Sequence, residues 1–177
     1  MTTNSSTQYF IKALGCGDLG RIRGIPKSDL HNHCLMGGRL NHLEQSLGVT
    51  IEQFRYTGRG IEDINEWIGK SLSPVFTNPL AIEKAVEGAF LQTKSDGVSV
   101  LEMSMDACLP RLFNIPAEKI IAILKEYHRD IAPEIDFRPE IGMARNLPVR
   151  LILQCLEPFF ASGYFRSIDL YDDEFAQ

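Results

Sequence analysis

The segment Asp29-Leu30-His31-Asn32-His33 holds the residue types in this chain best suited to chemistry. In an extended strand, residues i and i+2 point to the same face. His31 and His33 are therefore expected to project together at the C-terminal end of a strand. Two imidazoles on one face make a two-pronged grip for a divalent metal such as zinc. A metal held there points to hydrolytic chemistry, because it lowers the pKa of water towards neutrality. The other reading is a pair of surface histidines at a strand end, since two ligands do not by themselves make a site.

The elements that must position this pair follow from composition and spacing. At 177 residues and 44% hydrophobic, the chain can bury a sizeable core, and one domain is expected. The net charge is −5, with no basic run, so nucleic-acid and membrane-surface binding have little support. No apolar stretch nears the ~18–20 residues of a membrane span. Residues 1–9 are polar and lack the pattern of a signal peptide; they read as a disordered lead. Cys16, Cys34, Cys108 and Cys155 form no C-x-x-C unit. They read as reduced, mostly buried thiols of a cytoplasmic protein.

After the histidine strand, residues 40–47 read as a helix closed by Gly48. Thr50 and Gln53 form a capping-box pair for a short helix ending near Tyr56. A loop over 57–60 leads to a helix over 61–68 that carries Trp67. Asn78-Pro79 is a strong helix start, with a stripe of Leu80, Ala85, Val86, Ala89 and Phe90 running to about Ser95, and Gly97 as the stop. Residues 98–105 read as a strand. Residues 116–131 read as a helix through Ile120, Ile121, Leu124, Tyr127 and Ile131. A strand over 135–144, a helix over 147–160 and a strand over 164–170 complete the order. Strands alternating with helices argue for parallel βαβ units.

Polar residues gather after the strands: His31 and His33, then Asp106 and Cys108, then Arg145 and Asn146, then Asp169, Asp172, Asp173 and Glu174. In a (β/α)8 barrel the C-terminal strand ends build the active site. Loops are also simply wet, and that alone collects charge at strand ends.

With these residues in place, the chain resembles the adenosine deaminase branch of the metal-dependent amidohydrolases. Ile25-Pro26-Lys27-Ser28-Asp29-Leu30-His31-Asn32-His33 is similar to that family's "LPK-x-(D/E)-L-H-x-H" strand. Asp96-Gly97-Val98-Ser99-Val100-Leu101-Glu102 is similar to its "EGV-x-Y-x-E" strand. Residues 138–146 are like its third strand. Ser167-Ile168-Asp169-Leu170-Tyr171-Asp172-Asp173-Glu174 resembles "G-x-D-L-A-G-D-E". The resemblance covers roughly residues 22–175 and implies an α/β fold, a partial TIM (β/α)8-type barrel with about four parallel strands and intervening helices. Residues 1–20 are then a partly disordered N-terminal lead, and 21–177 the N-terminal half of an amidohydrolase-type barrel.

The resemblance implies one zinc as cofactor, with His31 and His33 as two of its ligands, and a purine-type small molecule as substrate. Gly37, Trp67 and Asp172 are the substrate-side candidates. Trp67 falls where the family has a helix closing over the pocket; core packing is the other reading. His42 and His128 lie in predicted helices, match no family ligand and read as structural.

Three departures bear on function. The carboxylate that follows the family's H-x-H is missing from Cys34-Leu35-Met36-Gly37-Gly38, which points away from adenosine itself; Arg39 nearby suits an anionic substituent. The glycine of "A-G-D-E" aligns with Asp172. The chain ends at Gln177, whereas a full barrel needs eight strands and typically ~250 residues. The third metal histidine, the proton-shuttling glutamate, the water-activating histidine and the metal aspartate come from later strands, so no catalytic residue is expected in this chain. Two expectations follow. One is half of a zinc-dependent deaminase, completed by a C-terminal half. The other is an inactive truncated half-barrel that self-associates as a homo-oligomer through open edges and an apolar inner face.

Overall fold

The computed structural model describes residues 5–172. Two helices, α1 (Ser5–Gly15) and α2 (Leu19–Gly24), lead into β1 (Lys27–His33). Helices α3 (Leu40–Leu47) and α4 (Ile61–Trp67) follow, then a π turn over Ile68–Leu72 and a 3-10 turn over Ser73–Val75. The remainder alternates: α5 (Pro79–Ser95), β2 (Val98–Asp106), α6 (Leu109–Phe113), α7 (Ala117–Ile131), β3 (Asp136–Ala144), α8 (Val149–Ser162) and β4 (Ser167–Tyr171). The strands form one sheet in the order β1-β2-β3-β4, and every pairing is parallel. The expected strand order is thus the observed one, and the sheet curls as half of a (β/α)8 barrel.

The two faces of the sheet differ because the strands alternate. Leu101, Met103 and Met105 of β2, with Ile141 and Met143 of β3, are fully buried against Ile82, Val86 and Phe90 of α5, Ile120 and Leu124 of α7, and Phe159 of α8. Phe90 sits edge-on to Phe137 with ring centroids 5.1 Å apart. This layer of helix on sheet is the core. The residues between, Glu102, Ser104 and Asp106, fall on the face away from the helices. There Arg138 pairs with Glu102 at 3.3 Å, and Ser167 donates to Glu140 at 2.5 Å. The inner face is therefore polar, not apolar as expected; exposed apolar side chains occur instead at Leu30 of β1 and at Ile168 and Leu170 of β4, the two outermost strands.

Several helix signals in the sequence act where they were expected. The Asn78 side chain accepts from Ala81 N at the start of α5, with Pro79 at the first helical position. Gly48 closes α3 in the left-handed region. Gly38 permits a close approach of the turn after β1 to α5: a Cβ there would lie 2.7 Å from the Gly88 backbone. Asp63 accepts from both the N–H and the hydroxyl of Thr57 and from Arg59, which clasps the loop ahead of α4. Those bonds, the Thr57 hydroxyl first, hold its carboxyl well below the usual carboxylate range.

Four elements depart from expectation. Within residues 1–20, read as a partly disordered lead, α1 forms, and α2 begins at its end. The Thr50/Gln53 helix does not form; Ile51 is buried instead and its N–H donates to the Glu44 carboxylate at 2.8 Å. Leu80 is exposed while its neighbours Ala81 and Ile82 are buried, so the inward stripe of α5 is shifted. β4 starts at Ser167, because Tyr164 and Phe165 pack on the core ahead of it. Asp173 and Glu174 lie outside the described residues.

Candidate metal centre

β1 and β2 together set the histidine pair. The register of β1 against β2 shifts between Asp29 and Asn32, an irregularity of the kind that re-aims side chains near sites. The Asn32 side chain holds it, donating to Asp29 Oδ2 at 2.7 Å. Beyond the shift His33 pairs with Ser104. The rings of His31 and His33 meet edge to face, centroids 4.9 Å apart, and their Nε2 atoms are 3.3 Å apart. Two nitrogens on one tetrahedral zinc, each about 2.0–2.1 Å from it, lie roughly 3.3 Å from each other. The pair therefore fits two corners of a zinc site. The same separation also fits one hydrogen bond shared between the rings.

His33 is held from behind. Its Nδ1 is 3.1 Å from Ser104 Oγ and 3.9 Å from the Asp169 carboxylate. Burial pushes the His33 pKa down, and Asp169 opposes it; the net shift is downward. That favours the neutral ring, the form a metal needs. The Tyr171 ring lies edge-on to His33 with centroids 5.9 Å apart. Its hydroxyl donates to Asp106 Oδ2 at 2.5 Å, while Asp106 Oδ1 accepts from Cys108 N–H at 2.6 Å. Both Asp106 oxygens are engaged. Among the described residues, no cluster of three or more His, Cys, Asp or Glu side chains is arranged to hold a metal.

The remaining candidates take separate positions. Gly37 lies in the turn after β1 and donates its N–H to His33 O at 2.7 Å. Asp172 sits at the rim past β4 in a left-handed conformation, φ +77, and accepts from Asn146 Nδ2 at 2.9 Å. The position aligned with the family's glycine thus keeps a glycine-like backbone, which aspartate tolerates better than most residues. Trp67 packs in a second cluster with Leu43, Ile51, Leu72 and Ala85, and its Nε1 donates to Glu52 O at 2.6 Å. It also lines a cavity of about 140 Å³ with Met36, Gly38, Arg39 and His42. The Arg39 side chain is tied to Gln92 at 2.6 Å. His128 donates to Ile135 O at 2.9 Å and stacks on Phe90, a packing role. Cys108 and Cys155 are unpaired thiols 3.1 Å apart.

Ser104 and Tyr171, both in contact with His33, were not singled out from the sequence. The alternation of β2 was the available signal: Glu102, Ser104 and Asp106 fall on the face opposite Leu101, Met103 and Met105.

A four-stranded parallel sheet in sequential order, backed by helices, with two histidines at the end of its first strand, makes half of a (β/α)8-type barrel. An amidohydrolase from Burkholderia ambifaria, solved with bound zinc, superposes with a TM-score of 0.64 at 18% identity, covering 99% of this chain and 49% of that one. The adenine deaminase of Arthrobacter aurescens gives 0.58 at 14% identity, over 83% of this chain and 49% of that one. In sequence, a curated protein of Treponema pallidum (strain Nichols) named "Putative adenosine/adenine deaminase" is 25% identical over 155 residues, 88% of this chain and 52% of that protein. No family model matches the chain. The chain resembles the N-terminal half of the adenosine deaminase branch of the amidohydrolases, and it spans about half the length of the relatives it matches.

Proposed function

We propose that this chain supplies the first half of the site of a zinc-dependent hydrolase that deaminates a purine. The observation that carries this reading is the 3.3 Å approach of His31 Nε2 to His33 Nε2 at the C-terminal end of β1. When bound, a divalent metal supplies Lewis acidity and acidifies water near neutral pH. In the reaction, water adds at the ring carbon bearing the exocyclic amine and ammonia leaves. His31 and His33 hold the metal; Gly37, Trp67 and Asp172 are assigned to the substrate side. An acid/base is needed within hydrogen-bond reach of the reacting ring. Asp106 is already bonded through both oxygens, so that role falls to the missing half, from a second polypeptide or a longer parent chain.

Adenosine is not the assigned substrate, because no carboxylate follows His33 in Cys34-Leu35-Met36-Gly37-Gly38. No helix among the described residues is long and apolar enough to cross a membrane, and the unpaired thiols fit a reducing, cytoplasmic setting.

The test is ammonia release from adenosine, adenine and purine nucleotides by the chain, alone and mixed with a polypeptide carrying the remaining four strands. No release is expected from the chain alone. Turnover on a purine other than adenosine is expected from the mixture, with loss on His33→Ala. Ammonia from adenosine by the chain alone would overturn the reading, as would a folded, zinc-loaded mixture inert on every purine. A second reading, an inactive half-barrel that self-associates, is supported by the exposed Ile168 and Leu170 beside the open edge of β4.

A further inference from the structure

A neutral imidazole carries one N–H, and whichever nitrogen holds it cannot bind a metal. At His33 the nitrogen needed for the metal is Nε2, the atom that faces His31. The proton must then sit on Nδ1. Two groups face Nδ1: Ser104 Oγ at 3.1 Å and Asp169 Oδ2 at 3.9 Å. Only the serine is within hydrogen-bond distance. The carboxylate adds a negative potential that favours a proton on that side of the ring.

Ser104 is suited to a fixed role. It is 3% exposed, and the strand register pairs it with His33. Its carbonyl also accepts from Cys34 N–H at 2.9 Å, so backbone and side chain grip the same short stretch. Gly142 on β3 makes the space: a Cβ there would come 3.2 Å from Ser104 Oγ and 3.0 Å from the Tyr171 ring. The Tyr171 ring in turn limits how far the His33 ring can swing.

We propose that Ser104 is the positioning residue for His33: its Oγ accepts the Nδ1–H and fixes the tautomer that leaves Nε2 bare towards His31 and a metal. The purpose of this arrangement rests on the metal-ligand reading above; the tautomer itself is a property of the metal-free chain. Removing the outer partner of a metal-binding histidine typically weakens metal binding by ~10–100-fold.

The experiment has two arms on the full chain. The first is long-range ¹H–¹⁵N NMR of the metal-free protein at pH 8, which reads which nitrogen of His33 is protonated. The expected result is Nδ1–H in the wild type, a mixture of tautomers in Ser104→Ala, and recovery of Nδ1–H in Ser104→Thr, which keeps the hydroxyl. The second is zinc affinity by competition with a weak chromogenic chelator, expected to fall about 10–100-fold in Ser104→Ala and to stay near wild type in Ser104→Thr. A wild-type His33 protonated on Nε2 would overturn the proposal even if a variant failed to fold. So would a folded Ser104→Ala with unchanged tautomer and unchanged affinity. Zinc affinity that survives both His31→Ala and His33→Ala would sink the metal-ligand reading instead, while leaving the tautomer result standing.

Discussion

His33 sits where burial and charge pull in opposite directions, and burial wins. A neutral ring beside a second histidine is prepared for a cation, but two nitrogens fill only half of a tetrahedral site. Zinc binding by the chain alone is therefore expected to be weak. Titration calorimetry should find it lost in His31→Ala and in His33→Ala, and unchanged in His42→Ala and His128→Ala. Stoichiometric zinc retained through desalting would contradict this. The pair was legible from i, i+2 spacing alone. The residues behind it were not, because serine and tyrosine are ordinary types within a strand. What places Ser104 at His33 is the pairing of two strands 71 positions apart, and no local pattern encodes that.

Among the elements, those with strong end signals were legible nearly to the residue: Asn78-Pro79 opening α5, Gly48 closing α3, and Pro116 ahead of α7. α1 and α2 were missed for a physical reason. α1 buries only Ala13 and α2 buries nothing, so neither belongs to the core whose spacing guided the other helix assignments. The Thr50/Gln53 signal was real but lost to tertiary packing of Ile51. The joint between α5 and the sheet should dominate stability. Phe90→Ala is expected to cost about 3–5 kcal/mol, read from denaturant unfolding. Gly38→Ala should cost about 1–3 kcal/mol by overpacking, since it meets fixed backbone. Gly88→Ala should cost less, because its new methyl meets the His42 ring, which can turn aside.

For the whole molecule, buried weak acids set a limit at alkaline pH. Burial first, then the nearby Cys34, pushes the Tyr164 hydroxyl up to about 12. Burial first, then the hydrogen bond with Cys155, pushes the Cys108 thiol up to about 12. Both groups hold their protons more tightly folded than unfolded. Their contribution is complete below the unfolded values, near 9 for the thiol and 10 for the phenol, and is lost as pH rises through the folded values. Unfolding free energy should fall from about pH 9 upward, and Tyr164→Phe should flatten that slope above pH 10. Stability that stays level to pH 11 would contradict the burial of these groups. The class of fold was legible from strand–helix alternation, but the polarity of the inner face was not, because that depends on which side of each strand the helices cover. With a polar interior, self-association is expected to run through the outer strands. Sedimentation should show a concentration-dependent dimer that Ile168→Lys and Leu170→Lys disperse; a clean monomer at all concentrations would rule it out.

Among the described residues β1 is an edge strand, and on the proposed reading its free side, beside the two histidines, would tie assembly to coordination. Any strand added along that edge brings its side chains in steps of about 3.3 Å. A zinc–nitrogen bond is only about 2.0–2.1 Å. A partner docked one residue out of step would leave its ligands more than a full bond length from where His31 and His33 point. On the proposed reading, only the correctly indexed pairing would close the coordination sphere, and metal capture would then proofread how the two halves join.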